Sequence, residues 1–350
     1  MARTDERRGG KGRKGDKGAG GAVGAAGVGG AQIEERVSAL ESEPEVKTSE
    51  NPRFHPIRRL THLWHYREIL VNLTRKEVKV KYTSSVLGTA WSMLNPLMYL
   101  LVFTFVFEVV LKSGIPNFPI YLLSGLLAWN VFSGALTLSA RSVVDNANLV
   151  KKVYFPREIL PLSSVGATLF DFLLQGIVLI AFMILMRYFD YLGWNLLLLP
   201  LSMIALVLFT VSLSLWVGAL NVKYRDTQHL LNLALLTWFW LTPIVYPMGF
   251  VQKEFLHTRF GETGLLVYLI VNPMASIISG FQRALYGAVF PYSHQLASSG
   301  APTNRAHILL NVSIGEQAAL LGIAIGISLL LILVFWRSFF RQAGDFAEEL

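Results

Sequence analysis

Two places in the chain bring together side chains whose types and spacing could do chemistry. The first is the run Asn146-Ala147-Asn148-Leu149-Val150-Lys151-Lys152-Val153-Tyr154-Phe155-Pro156-Arg157-Glu158-Ile159-Leu160-Pro161. It is dense in cations and aromatics, and its two prolines stop and restart helix. A solvent loop has no need of Val153, Tyr154 and Phe155 in a row. The patch suits docking into a partner's groove, with aromatic anchors inside and Lys151, Lys152, Arg157 and Glu158 at the rim. The alternative is a juxtamembrane anchor, with aromatics at headgroup depth and lysines on phosphates. The second place is Asp171, an acidic residue in a long apolar stretch. A carboxylate there costs roughly 2.5–3.5 kcal/mol on insertion scales unless it is paired, so it must face protein or water. With Gln175 one turn on, it either bonds a neighbouring helix or lines a transport path. As a proton relay it would support secondary transport.

Catalytic patterns are missing from the sequence. The seven histidines (His55, His62, His65, His229, His257, His294 and His307) form no HExxH and have no paired carboxylates around them. Ser163-Ser164 and Thr83-Ser84-Ser85 lack a nucleophile-elbow context. Gly10-Lys11 is followed by Gly12 rather than Ser or Thr, so no Walker motif forms. With no cysteine, disulfides, thiolate metal sites and thiol catalysis are excluded. The triplets Asn72-Leu73-Thr74 and Asn311-Val312-Ser313 match a glycosylation pattern too short to carry a role. The expectation is a non-catalytic chain with no metal and no cofactor of its own.

The elements that would position these residues are membrane spans. Of 350 residues 53% are hydrophobic and 15% charged, against about 25% charged in soluble domains. The formal net charge of +8 does not come from residues 1–50, which hold nine residues of each sign. The excess lies among long apolar runs, which fits basic cytoplasmic loops and excludes a nucleic-acid-binding face. Residues 1–50, Gly/Ala-rich and then Glu-rich, are expected to be a disordered cytoplasmic tail. No apolar segment follows its basic residues within the first 30, so no signal peptide is expected there.

Residues 57–82, within a 51–88 region, have Leu60, Leu63, Trp64, Leu70, Val71, Leu73 and Val78 at near-helical spacing, interleaved with Arg67, Arg75, Lys76, Lys79 and Lys81. This predicts one basic amphipathic helix, or two in succession, on a membrane surface; the alternative is an ordinary exposed helix. Six stretches could cross roughly 30 Å of hydrocarbon: 89–111, 119–140, 159–186, 194–220, 229–247 and 316–336. Lys/Arg asymmetry in the short loops puts both termini in the cytoplasm. In the last external loop, 248–315, Leu265–Val271 and Met274–Leu285 are too short to cross and are expected to be re-entrant or surface-lying. The predicted fold is thus an all-α polytopic membrane protein with a transmembrane domain over 89–340 and a short cytoplasmic tail at 341–350. A hydrated glycan chain slides best over aromatic faces and hydrogen bonds. Trp91, Tyr99, Phe103, Trp129, Phe132, Trp238, Trp240 and Tyr246 are candidates to line such a path, each with lipid-facing as its alternative. Asn95 and Asn130 are expected to bond between helices in preference to binding sugar.

Several motifs carry a family resemblance. In order they are Arg75-Lys76-Glu77-Val78-Lys79-Val80-Lys81-Tyr82, Leu87-Gly88, Trp91, Asn95-Pro96, Gly125-Leu126-Leu127-Ala128-Trp129-Asn130, and Leu149 through Pro161. They continue with Asn221-Val222-Lys223-Tyr224-Arg225-Asp226, Pro243-Ile244-Val245-Tyr246-Pro247, Asn272-Pro273 and Phe346-Ala347-Glu348-Glu349-Leu350. Over residues 56–350 the chain resembles the membrane subunit of ABC-type polysaccharide and polyol-phosphate exporters, which move O-antigen, teichoic acid and related lipid-linked glycans. It departs from them in its long N-terminal tail and in an extension around 291–314.

The resemblance implies a plasma-membrane subunit that pairs with a second copy and docks two separate ABC subunits, which bind ATP and Mg. It places a coupling helix within Asn146–Glu158, a gate helix at 57–82 that includes Arg75, Glu77, Lys79, Lys81 and Tyr82, and a second cytoplasmic contact at Lys223, Tyr224, Arg225 and Asp226. Arg225 and Asp226 could instead be a local ion pair. Competing readings are an ABC-type exporter of a drug or small lipid, an ATP-independent secondary transporter using Asp171, and a membrane scaffold.

Overall fold

The computed structural model describes residues 56–83, 88–113, 115–191, 193–287 and 308–350. The expectations for the 1–50 tail and for most of the 291–314 extension lie outside these residues. The described part is helical, without a strand. Helices α1 (Pro56–His65) and α2 (Arg67–Tyr82) come first, so the amphipathic region is two helices broken at Tyr66. The first long apolar unit is α3 (Ala90–Thr104), continued by a π-helical turn over Phe105–Val110. Next come α4 (Phe118–Asp145), the short α5 (Ala147–Lys152), α6 (Ile159–Leu185) and α7 (Leu198–Lys223). Then follow α8 (Thr227–Leu241), α9 (Met248–His257), α10 (Gly261–Val271) and α11 (Pro273–Tyr286). The chain closes with α12 (Ile314–Gln342) and α13 (Phe346–Glu349). A capping box opens α12, in which the Ser313 hydroxyl accepts from the Glu316 N–H and the Ser313 N–H donates to the Glu316 carboxylate.

Helix α4 is the axis of the bundle and packs against α6, α7 and α11, while α7 and α12 pair. Phe118, Tyr121, Phe132, Phe209, Phe281 and Tyr286 are fully buried between them. From the N-cap Tyr66 along α2, the residues Tyr66, Ile69, Leu70, Leu73, Thr74, Glu77, Val78 and Tyr82 recur every three or four positions and are the partly or fully buried face, the spacing of one side of an α-helix. This face meets α6, where Gly166 lets the backbones approach: a Cβ there would stand 2.8 Å from Thr74 Oγ1.

Among the described residues five helices are long and apolar enough to cross a membrane, Ala90–Val110, Phe118–Asp145, Ile159–Leu185, Trp194–Lys223 and Ile314–Gln342, and the bent pair Gly261–Val271 with Pro273–Tyr286 passes the same measure when taken together. The expected span at 229–247 is shorter than the apolar composition suggested. Helix α8 has 15 residues, about 22 Å at 1.5 Å per residue. Its end is set by Pro243, which holds Thr242 in extended backbone. Asn272 secures that end, because its amide donates to Leu241 O (3.5 Å) and Thr242 Oγ1 (3.1 Å) while its carbonyl accepts from Trp238 Nε1 (2.8 Å). Asn272 is also the vertex between α10 and α11, which bend by 96°. Every residue of α11 is buried against the rest of the bundle.

The close approach at Gly166 yields a paired test. Gly166→Leu must push α2 off α6 and is expected to cost about 1–3 kcal/mol; Gly176→Leu, where a Cβ meets nothing within 4 Å, leaves the packing intact. Thermal unfolding in detergent should show a lowered midpoint for the first substitution and little change for the second.

Candidate functional site

The 146–158 segment sorts its residues into two faces. Helix α5 follows α4 directly, and Val153 leaves it in extended backbone. Lys151, Lys152, Val153 and Tyr154 are exposed, Tyr154 at 91%. Phe155, at 6%, turns the other way and joins Val150, Leu160, Phe339 and Phe346 in the chain's own core. This corrects the expectation of Phe155 as a docking anchor, since its ring is packed into that core while Tyr154 beside it stands outward. Pro156, Asn146 and Glu158 are buried as well, and Leu149 and Arg157 are half-buried. Glu158 therefore is no rim charge. Its Oε1 accepts from Arg59 Nη1 (3.0 Å) and Trp336 Nε1 (3.3 Å), and Arg59 also lies 3.7 Å over the Phe340 ring. Asn146 Oδ1 accepts from Lys76 Nζ at 2.6 Å. Lys223, Tyr224, Arg225 and Asp226 are exposed between α7 and α8, and no ion pair joins Arg225 to Asp226 among the described contacts.

Asp171 is the centre of a second cluster. Its Oδ2 accepts from Lys81 Nζ at 2.6 Å, and its Oδ1 accepts from the Tyr82 hydroxyl and from Ser92 Oγ at 3.1 Å. The carboxylate is thus held by donors from α2 and from the start of α3. Burial, reinforced by the hydrogen bond to Asp171, raises the Tyr82 hydroxyl from its ordinary 10 to about 12, so it remains a donor at neutral pH. Gln175 does not join this cluster; its Oε1 accepts from Asn130 Nδ2 at 2.7 Å, the interhelical role expected of Asn130. Of the gate-helix candidates, Lys81 and Tyr82 meet Asp171, Glu77 is half-buried, and Arg75 and Lys79 are exposed. A cavity of about 370 Å³ opens beside the cluster, lined among others by Glu77, Lys81, Thr137, Arg141, Thr168 and Asp171.

The candidate path aromatics divide. Trp91, Asn95 and Tyr99 are exposed at four-residue spacing on α3, one ridge that continues to the half-buried Phe103. Tyr99 stacks on Phe103, and Phe103 on Phe239 of α8. Trp240 is 54% exposed. By contrast, Trp129 and Phe132 are buried in the bundle, with Phe132 stacked on Phe209 at 5.5 Å and edge-on to Trp238 at 5.2 Å. These two fill the core and do not line a path in this arrangement, and Trp238 is held by Asn272. Tyr246 is half-buried, its hydroxyl donating to Trp240 O at 2.9 Å. Among the described residues no group of three or more His, Asp or Glu side chains is placed to hold a metal ion.

Sequence reading missed Arg59, Ser92 and Trp336 and the partners of Lys76. Arg59, Ser92 and Trp336 lie 79 to 178 positions from the carboxylates they bond, Lys76 lies 70 from Asn146, and one sequence carries no signal at that range.

The Asp171 cluster makes a double-mutant test. Lys81→Met removes one charge and leaves the carboxylate short of a donor, an expected loss of about 1–3 kcal/mol. Lys81→Met with Asp171→Leu should be less costly than the sum of the single changes, because removing both partners is milder than stranding one. Thermal midpoints of the four proteins in detergent measure the coupling.

With this geometry in place, the similarities to known proteins have a meaning beyond overall hydropathy. The chain is 33% identical over 245 residues, 70% of this chain and 90% of the relative, to the O-antigen export system permease protein RfbA of Myxococcus xanthus. It is 33% identical over 227 residues, 65% and 83% of the two chains, to the protein of the same name from Klebsiella pneumoniae. The polysialic acid transport protein KpsM of Escherichia coli is 22% identical over 217 residues, 60% and 78% of the two chains. Residues 69–286, from the buried face of α2 to the end of α11, match the family described as ABC-2 type transporter, and the chain belongs to that membrane family.

Proposed function

We propose that this chain is the membrane subunit of an ATP-driven exporter that moves a lipid-linked polysaccharide across the plasma membrane, with both termini in the cytoplasm. The observation that carries this reading is the two-faced 146–158 segment. Lys151, Lys152 and Tyr154 stand outward, while Val150, Phe155 and Glu158 fix the back of the segment to the bundle. A rigid, basic, aromatic face is what a docking site for a separate ATPase requires. The exposed Lys223, Tyr224, Arg225 and Asp226 supply a second contact at the same basic end. ATP and Mg belong to that partner, so this chain forms and breaks no covalent bond.

The polysaccharide substrate is inferred from relatives that bear O-antigen export and polysialic acid transport in their names. The Trp91, Asn95, Tyr99 and Phe103 ridge supports it, because aromatic faces and a polar amide hold a hydrated chain without trapping it. We place this ridge at the contact with a second copy of the chain, so that two ridges flank one path. The exposed Ile57, Leu60 and Trp64 on α1 suit a helix lying in the membrane surface.

Copurification tests the reading. Lys151→Ala, Lys152→Ala and Tyr154→Ala together should weaken capture of the partner ATPase by about ten-fold or more, the loss of roughly 1.4 kcal/mol of binding, without lowering the thermal midpoint of the chain alone. Unchanged capture would sink the docking assignment, and depletion of the chain that leaves surface polysaccharide at its normal level would sink the substrate.

A further inference from the structure

The two hydrogen bonds made by the amphipathic helices to the 146–158 segment are arranged as a strut. Asn146, at the start of the segment, bonds Lys76 of α2. Glu158, at its end, bonds Arg59 of α1. The segment and the α1–α2 pair therefore run antiparallel and are fastened at both ends. One fastening would be a pivot, whereas two transmit rotation as well as displacement. Both attached residues are also held from behind. The Asn146 amide donates to Ser142 O at 2.8 Å, and Glu158 accepts from Trp336. Beyond Lys76, α2 continues for little more than one turn to Lys81 and Tyr82, which bond Asp171.

We propose that Lys76 and Arg59 are positioning residues that convert movement of the 146–158 segment into movement of α2, and through Lys81 and Tyr82 change the grip on Asp171. This inference rests on the reading that an ATPase docks on that segment. The energetics separate this role from fold maintenance at Lys76. Its side chain is 49% exposed and lies 3.8 Å from Glu77, and its partner Asn146 is a neutral amide, so its loss strands no buried charge. Arg59 differs, since its partner Glu158 is 2% exposed and its loss strands a buried carboxylate. Lys76 is therefore the residue on which the proposal is tested.

The assay uses the full chain with its partner ATPase, reconstituted in lipid vesicles, and reads polysaccharide moved per ATP hydrolysed. Lys76→Ala should leave ATPase capture and the hydrolysis rate within about two-fold and lower the transport ratio about ten-fold, a change of roughly 1.4 kcal/mol in coupling. The chain has no cysteine, so Lys76→Cys with Asn146→Cys places a single thiol pair. A lysine-length gap is too wide for a direct disulfide, and a short bis-methanethiosulfonate bridges it. Unbridged, this protein should behave as Lys76→Ala does, and bridging should restore the ratio. Normal transport by Lys76→Ala, or a bridge that restores nothing, overturns the strut. A native chain that captures no ATPase overturns the docking reading itself, and does so before any variant is examined.

Discussion

The carboxylate of Asp171 sits in a helix built to lie in hydrocarbon, and that constraint organises one whole side of the protein. Charge at such a depth is tolerated only with partners. The partners come from α2 and the start of α3, so the amphipathic region cannot float free on the surface. It must bring Lys81 and Tyr82 to α6, and Gly166 removes the side chain that would keep the helices apart. Leu73 and Thr74 then pack where the approach is closest, and the charged flank of α2 is left outward. A single buried charge thus sets the placement of a helix that composition alone would leave as a surface element.

The same rule, that polar groups away from water must find protein partners, explains the other end of the bundle. Pro243 ends α8 early and exposes helix-end carbonyls. Asn272, 31 residues on from Leu241, satisfies that residue's carbonyl. Because it also accepts from Trp238 and donates to Thr242, the bend between α10 and α11 is fixed by the residue that repairs the break in α8. Gln282 adds a bond to Ile244 O at 3.2 Å. A proline pair and two amides end α8 short of a long span and fix beside it the bent α10–α11 pair, of which α11 is buried.

Long elements were legible in the sequence because their signal is local. Apolar runs located α4, α6, α7 and α12 to within a few residues, and the mixed pattern of 57–82 foretold α1 and α2. The boundary of α8 was misplaced because Ile244, Val245 and Tyr246 stay apolar past the proline that ends the helix. Composition outweighed backbone chemistry in that estimate. The direction of side chains within a motif was also hidden. Tyr154 and Phe155 are adjacent and chemically alike, yet one is 91% and the other 6% exposed; only packing against Val150, Leu160, Phe339 and Phe346 decides between them. Aromatics at Trp129 and Phe132 read the same as those at Trp91 and Tyr99, and only packing against α7 and α8 marks the first pair as core.

The division between apolar and polar contacts bears on how such a chain could move. The α4, α7 and α12 assembly is held by interdigitated side chains, whose packing strongly resists change because every shift opens a void. The α1–α2 pair combines the apolar face of α2, packed on α6, with a few directional bonds, each of which contributes on the order of 1 kcal/mol net because water or another acceptor can replace it. A rearrangement that exchanges such bonds one for another costs far less than one that slides the core. The stiff part is thus suited to fix the path. The polar fastenings at Glu158, Asn146 and Asp171 are where modest work delivered by a partner can shift the balance between two arrangements.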